Sequence, residues 1–153
     1  MPTPVRQLFE THLTVQDIDR SIAFYRDVLG FRLASLFRDR GAAFFWVGDP
    51  QTTMLGLWAT GTAPLGLKLH IAFSADLDAV LASPSVLKKA GVEPLDFHGR
   101  PTSEPSVLAW MPAAAVYFED PDGHSLEYLA ILRDPAKPEA GVIPYSTWVK
   151  GLK

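Results

Sequence analysis

One carboxylate and two imidazoles carry the chemistry that this sequence can be read for. Glu127 ends the segment Tyr117-Phe118-Glu119-Asp120-Pro121-Asp122-Gly123-His124-Ser125-Leu126-Glu127, and His12 and His70 lie in apolar-alternating stretches upstream. The chain has no cysteine, so disulfides and thiolate chemistry are excluded and any metal ion must be held by nitrogen and oxygen. A carboxylate fixed on a strand, rather than on a loop, has the rigid placement that a metal ligand needs. The alternative for Glu127 alone is an exposed acid on an edge strand. The alternative for each histidine alone is a residue hydrogen-bonded to backbone.

The elements that position these groups follow from local patterning. Val116 to Phe118 reads as the end of a strand, Asp120-Pro121-Asp122-Gly123 as a turn, and Ser125 to Ile131 as the returning strand of a hairpin. On the returning strand Leu126 and Tyr128 face one way, while Ser125, Glu127 and Leu129 face the other. Leu8 to Val15 alternates as a first strand, with Glu10, His12 and Thr14 on one face. A helix follows, capped by Asp17 or Asp19, with a buried stripe of Ile18, Ile22, Tyr25 and Leu29 and a terminating Gly30. Three strands are predicted over 31–37, 42–47 and 53–59.

The pattern then repeats. A strand over 67–73 places Lys68, His70 and Ala72 on one face, and a helix over 76–90 restarts at Ser83-Pro84 and closes at Gly91. Val92 to Phe97 reads as a strand, 99–105 as a polar loop able to act as a lid, and Val107 to Met111 as a short strand before the hairpin. Residues 132–153 form a proline-bearing tail, with a short helix over 146–152. Residues 47–59 align without gaps to 118–130, with Asp-Pro, a leucine and the final alanine coinciding. That alignment matches Gly56 to Glu127, and the two leading strands match His12 to His70. A duplicated βαβββ unit follows, about 8–60 and 67–131 within a single domain. His12, His70 and Glu127 are then expected on corresponding strands, facing a shared cavity.

Composition bounds the rest. The 153 residues are 48% hydrophobic with a net charge of −3, enough for one packed domain or two small units sharing a core. No apolar run is long enough for a membrane helix, the N-terminus lacks a signal-like region, and a cytoplasmic protein without a membrane partner is expected. Scattered Lys and Arg form no basic stripe, which argues against nucleic acid as a partner.

With these residues in place the sequence resembles the vicinal oxygen chelate superfamily, which includes glyoxalase I, fosfomycin-resistance thiol transferases, bleomycin-binding proteins and extradiol dioxygenases. The resemblance rests on Thr11-His12, on Ile22-Ala23-Phe24-Tyr25 through Leu29-Gly30-Phe31, on Leu69-His70, and on Tyr117-Phe118 through Asp120-Pro121-Asp122-Gly123-His124 to Glu127, spanning about residues 8–131. It implies an α+β fold of paired βαβββ modules, usually dimeric, with one divalent ion per site. It also implies that His12, His70 and Glu127 are the metal ligands, a two-histidine, one-carboxylate set that leaves positions open for substrate. Zn, Ni, Mn and Fe(II) all suit such ligands.

Departures from the superfamily's patterns narrow the chemistry. Glyoxalase I has a glutamate at the strand position that Gly56 holds here, and extradiol enzymes have a histidine where Trp110 stands. Fosfomycin-type transferases use a His, His, Glu set with a cationic cradle, for which Lys68, Arg38 and Arg100 are the nearby candidates. The expected function is therefore Lewis-acid catalysis on a small oxygen-chelating substrate, by addition, isomerisation or transfer of a thiol co-substrate. The alternatives are a metal-independent drug-binding protein, or lactoylglutathione lyase or extradiol dioxygenase proper. His98, Arg100, Trp110 and Trp46 are candidate substrate contacts, whereas His124 is expected to satisfy backbone groups. No catalytic residue beyond the ligands is assigned.

Overall fold

Alternation along strand β1 (Glu10–Val15) decides which side of the first unit is inside: Leu13 and Val15 are buried, while Glu10 and His12 lie on the open face. The computed structural model describes residues 8–60 and 67–151, in two compact units, Met1–Leu67 and Lys68–Lys153. Asp17 caps helix α1 (Ile18–Ala23), its carboxylate accepting the Arg20 N–H at 3.0 Å. The helix then widens into a π-helical turn over Phe24–Val28, and the Leu29 N–H reaches back five residues to the Phe24 carbonyl at 3.2 Å. Phe24 and Tyr25 are both buried in that turn. Strands β2 (Arg32–Phe37), β3 (Ala42–Trp46) and β4 (Met54–Ala59) complete a sheet of order β1-β4-β3-β2. Strand β1 is parallel to β4, with Glu10 opposite Met54 and His12 opposite Gly56.

The second unit repeats this plan and extends it. Strand β5 (His70–Ser74) leads into helix α2 (Leu77–Lys89), followed by β6 (Ser106–Leu108), β7 (Ala113–Glu119) and β8 (Ser125–Ile131). The β7–β8 hairpin falls where the sequence puts it. The expected helix restart at Ser83-Pro84 does not occur: α2 runs through Pro84. Proline has no N–H for the carbonyl of Val80, and the Ser83 hydroxyl donates to that carbonyl instead, at 2.8 Å. Nor is 92–97 a strand. Leu95 alone exchanges two backbone hydrogen bonds with Tyr117, at 2.7 and 3.0 Å, and Pro94 just before it has no donor to extend the ladder. The tail contributes a strand the sequence did not suggest, β9 (Val142–Pro144), paired to β6, and helix α3 (Tyr145–Val149). The resulting sheet has the order β5-β8-β7-β6-β9.

The hairpin turn is fixed by a buried acid. Asp120 is 5% exposed, and one of its carboxylate oxygens accepts the N–H groups of Asp122 at 3.0 Å and His124 at 2.8 Å. His124 is buried beside it, its Nδ1 accepting the Leu69 N–H at 3.1 Å, so it ties the start of β5 to the turn as the sequence suggested. Asp120→Ala removes a charged acceptor from two backbone donors and is expected to cost about 2 kcal/mol, read from the shift of the denaturant midpoint.

Candidate metal centre

The hairpin delivers Glu127 to β5 as a buried acid. Glu127 is 4% exposed, pairs with Ala72 across the parallel β5–β8 ladder, and stands opposite Tyr117 in β7. Its Oε2 lies 3.1 Å from Nε2 of His70, and its Oε1 has no hydrogen-bond partner. Burial pushes the Glu127 carboxyl up, opposed by His70 and by the Tyr117 hydroxyl. Burial and then the charge of Glu127 push the Tyr117 phenol up as well, so it stays an O–H donor at neutral pH.

Both ring nitrogens of His70 have polar partners. Nδ1 of His70 lies 3.1 Å from the Ser125 carbonyl oxygen and 3.1 Å from the Ser125 hydroxyl. With the hydrogen on Nδ1 the Ser125 carbonyl accepts it and Nε2 presents its lone pair to the carboxylate; with the hydrogen on Nε2 the Ser125 hydroxyl donates to Nδ1 and Nε2–H donates to Glu127. The first tautomer is the one that can ligate a metal ion through Nε2. Metal-bound histidines commonly donate their second ring N–H to a carbonyl in this way. With metal bonds of about 2.0–2.2 Å, neighbouring donors on one ion sit roughly 2.9–3.5 Å apart, which the pair matches. The donor set and the orphaned oxygen therefore fit a divalent ion.

His12 stands in the first unit with a different partner. Its Nε2 lies 2.9 Å from Oε1 of Glu10, and its ring packs against Phe44 and Trp58 at centroid distances of 5.8 and 5.9 Å. The ladders correct the repeat register. Gly56 and Glu127 are equivalent, yet Gly56 faces His12 whereas Glu127 faces Ala72. His70 faces Ser125, whose equivalent Met54 faces Glu10. The residue corresponding to His70 is thus Glu10, and His12 corresponds to Ala72. Within each unit, among the described residues, no three His, Asp or Glu side chains are grouped to hold an ion; each unit offers a pair.

The other candidates are scattered. In the second unit a run of rings leads outward from His70: Tyr117 at 6.2 Å, Phe97 at 6.0 Å from Tyr117, and His98 at 5.4 Å from Phe97. Sequence reasoning singled out His98, and Phe97 as a residue that could line an apolar pocket, but missed Tyr117; counting hairpin pairs outward from the turn would have placed Tyr117 opposite Glu127. Arg100 is exposed on the loop that Asp96 organises by accepting the His98 and Arg100 N–H groups. Trp110 is 59% exposed beyond the Ala113 end of β7, four strand residues or roughly 13 Å from Tyr117, so it does not border the His70–Glu127 pair. Trp46 lines an apolar surface hollow in the first unit with Phe37, Phe44 and Met54. Of the three candidate cations, Arg38 pairs with Asp19 at 3.1 Å and Lys68 with Glu119 at 3.6 Å, both in solvent.

A family model described as the Glyoxalase/Bleomycin resistance protein/Dioxygenase superfamily matches residues 7–128. The chain belongs to that superfamily. It is 28% identical over 132 residues to a lactoylglutathione lyase of Haemophilus influenzae, covering 80% of this chain and 91% of that protein. Among solved structures, an integron cassette protein from the mobile metagenome of the Halifax Harbour sewage outfall superposes with a TM-score of 0.72 at 28% identity, covering 83% of this chain and all of that one. A lactoylglutathione lyase from Agrobacterium tumefaciens shares the fold, with a TM-score of 0.64 at 23% identity over 84% of this chain and 96% of that one. Both units have the βαβββ order and mixed sheets of this α+β superfamily. No helix among the described residues is long and apolar enough to cross a membrane.

Proposed function

We propose that this superfamily member is a divalent-metal-dependent enzyme acting on a small molecule that chelates through one or two oxygens. The observation that supports the reading most is the His70–Glu127 pair: a buried carboxylate with one oxygen unpartnered, 3.1 Å from an imidazole nitrogen. A Zn, Ni, Mn or Fe(II) ion held there would supply Lewis-acid polarisation of a substrate oxygen. The protein's own groups do the rest. Ser125 orients the His70 ring, β8 holds Glu127 rigid, and the Tyr117 hydroxyl is a donor beside them. The Phe97 and His98 rings give an apolar approach suited to a planar or unsaturated substrate. Glu127 acts as ligand rather than base, because a bound cation keeps it ionised. The attacking group is water or a co-substrate thiol, and the assembly is a symmetric homodimer, which sedimentation at tens of micromolar checks.

Elemental analysis of the purified protein tests the central point. About one divalent ion per chain is expected, with its loss in His70→Ala while circular dichroism is unchanged. Protein that takes up none of Zn, Ni, Mn or Fe(II) at micromolar concentration, yet binds small molecules, would instead favour the drug-binding reading.

A further inference from the structure

Phe97 is a large aromatic residue held in water close to the buried His70–Glu127 pair. It is 48% exposed, although burial of such a ring is favourable. Its ring centroid lies 6.0 Å from that of Tyr117, nearly edge to face, and the Tyr117 ring lies 6.2 Å from that of His70. Tyr117 in turn stands directly opposite Glu127 in the β7–β8 ladder. Phe97 is thus two ring contacts away from His70, within the second unit.

The backbone that carries Phe97 is tied to two strands. Leu95 exchanges hydrogen bonds of 2.7 and 3.0 Å with Tyr117 in β7, and the Phe97 N–H donates to the Ser106 hydroxyl of β6 at 3.1 Å. The Asp96 N–H donates to the Arg100 carbonyl at 2.8 Å, while the Asp96 carboxylate accepts the His98 and Arg100 N–H groups at 2.8 and 2.9 Å. The Thr102 N–H closes the loop on the Pro94 carbonyl at 2.9 Å. A loop bonded in this way is a wall rather than a moving lid. A ligand that covers its exposed ring gains contact without having to order the chain beneath.

We propose that Phe97 is a specificity-determining residue: a fixed aromatic wall that selects, among oxygen-chelating molecules, those with an aryl group next to the chelating oxygens. The assignment rests on the metal-dependent reading above. A flat ring laid against Phe97 covers apolar surface and adds an aromatic pair, together worth about tenfold in affinity. The competing explanation is that Phe97 only braces Tyr117.

Two hydroxamates separate these explanations, because both chelate through the same two oxygens and only one bears a ring. Full-length protein loaded with Zn²⁺ is titrated by calorimetry with acetohydroxamate and with benzohydroxamate, and the affinity ratio is divided by the same ratio for aqueous Zn²⁺. Wild type is expected to prefer benzohydroxamate about tenfold, and Phe97→Ala less than about twofold with its acetohydroxamate affinity unchanged. Phe97→Leu keeps apolar packing without the aromatic pair and is expected to fall between them. An undiminished preference in Phe97→Ala, or an equal loss of affinity for both hydroxamates, overturns the assignment and leaves the metal reading intact. The full wild-type preference in Phe97→Leu overturns the aromatic pairing on which the substrate class stands. Wild-type protein that takes up no Zn²⁺ overturns the metal reading, and this assignment with it.

Discussion

Glu127→Leu is expected to abolish divalent-metal binding and, measured in chelator, to raise the stability of the protein. The two effects have one cause. Glu127 is 4% exposed, and its Oε1 is without a hydrogen-bond partner, so the metal-free fold bears the desolvation of a carboxylate that His70 and the Tyr117 hydroxyl compensate only in part. An unsatisfied buried polar group costs about 1–3 kcal/mol, and leucine of similar volume removes that cost. A gain of about 1–2 kcal/mol is expected, which for a chain of this size raises Tm by about 2–4 °C per kcal/mol. The gain depends on pH with a definite sign. Burial raises the carboxyl's proton affinity in the folded state, so the folded protein binds the proton more readily than the unfolded one. Wild-type stability therefore falls as pH rises through the raised value, and the advantage of Glu127→Leu is largest at neutral pH and shrinks in acid. Sites kept for function at the expense of stability behave in this way. If Glu127→Leu lowers Tm in chelator, Glu127 is a structural anchor for His70, and the metal reading loses its main support.

The elements around this site were largely legible because their signals are local. Asp120-Pro121-Asp122-Gly123 fixes its turn through proline, glycine and an acid that binds its own backbone, and the flanking β-branched and aromatic residues fix the strands. Where the sequence misled, the deciding contact came from elsewhere in the chain. Pro84 signals a helix break, but the Ser83 hydroxyl supplies the donor that proline lacks. Val92 to Phe97 has strand-like composition, yet it makes only isolated bridges, at Leu95. Strand β9 exists because β6 offers an edge, which nothing in Val142–Pro144 announces. The site register is the most instructive case. Strand side chains alternate with a period of two, so a slip of two residues keeps every residue on its face. His12 and Glu10 are indistinguishable by alternation, and matching histidine to histidine selects the wrong one. Only the ladder, with Gly56 facing His12 and Glu127 facing Ala72, resolves it.

That same register governs which substrates the protein should refuse. Negligible turnover is expected for the methylglyoxal–glutathione adduct and for catechols, even with Zn, Ni, Mn or Fe(II) supplied. Glyoxalase I has a glutamate at the position of Gly56, where it serves as ligand and base; here that position holds no side chain and the His12 ring closes over it. Glu10 offers a carboxylate nearby, but in solvent and held by His12, so it does not reproduce a base fixed on the neighbouring strand. Loss of a positioned general base costs about 10²–10⁴-fold in rate. For catechols, the missing group is the imidazole that Trp110 would have to replace, and Trp110 lies exposed past the far end of β7. The 28% identity to the Haemophilus influenzae lactoylglutathione lyase does not put a carboxylate at position 56. A triple variant, Glu10→His with His12→Ala and Gly56→Glu, supplies a carboxylate there. Its isomerisation of the adduct, followed by the absorbance of the thioester product, is expected to exceed wild type at least about tenfold. Rapid turnover of the adduct by the wild type, lost in His70→Ala, would show that Gly56 is no obstacle and that the protein is a lactoylglutathione lyase after all.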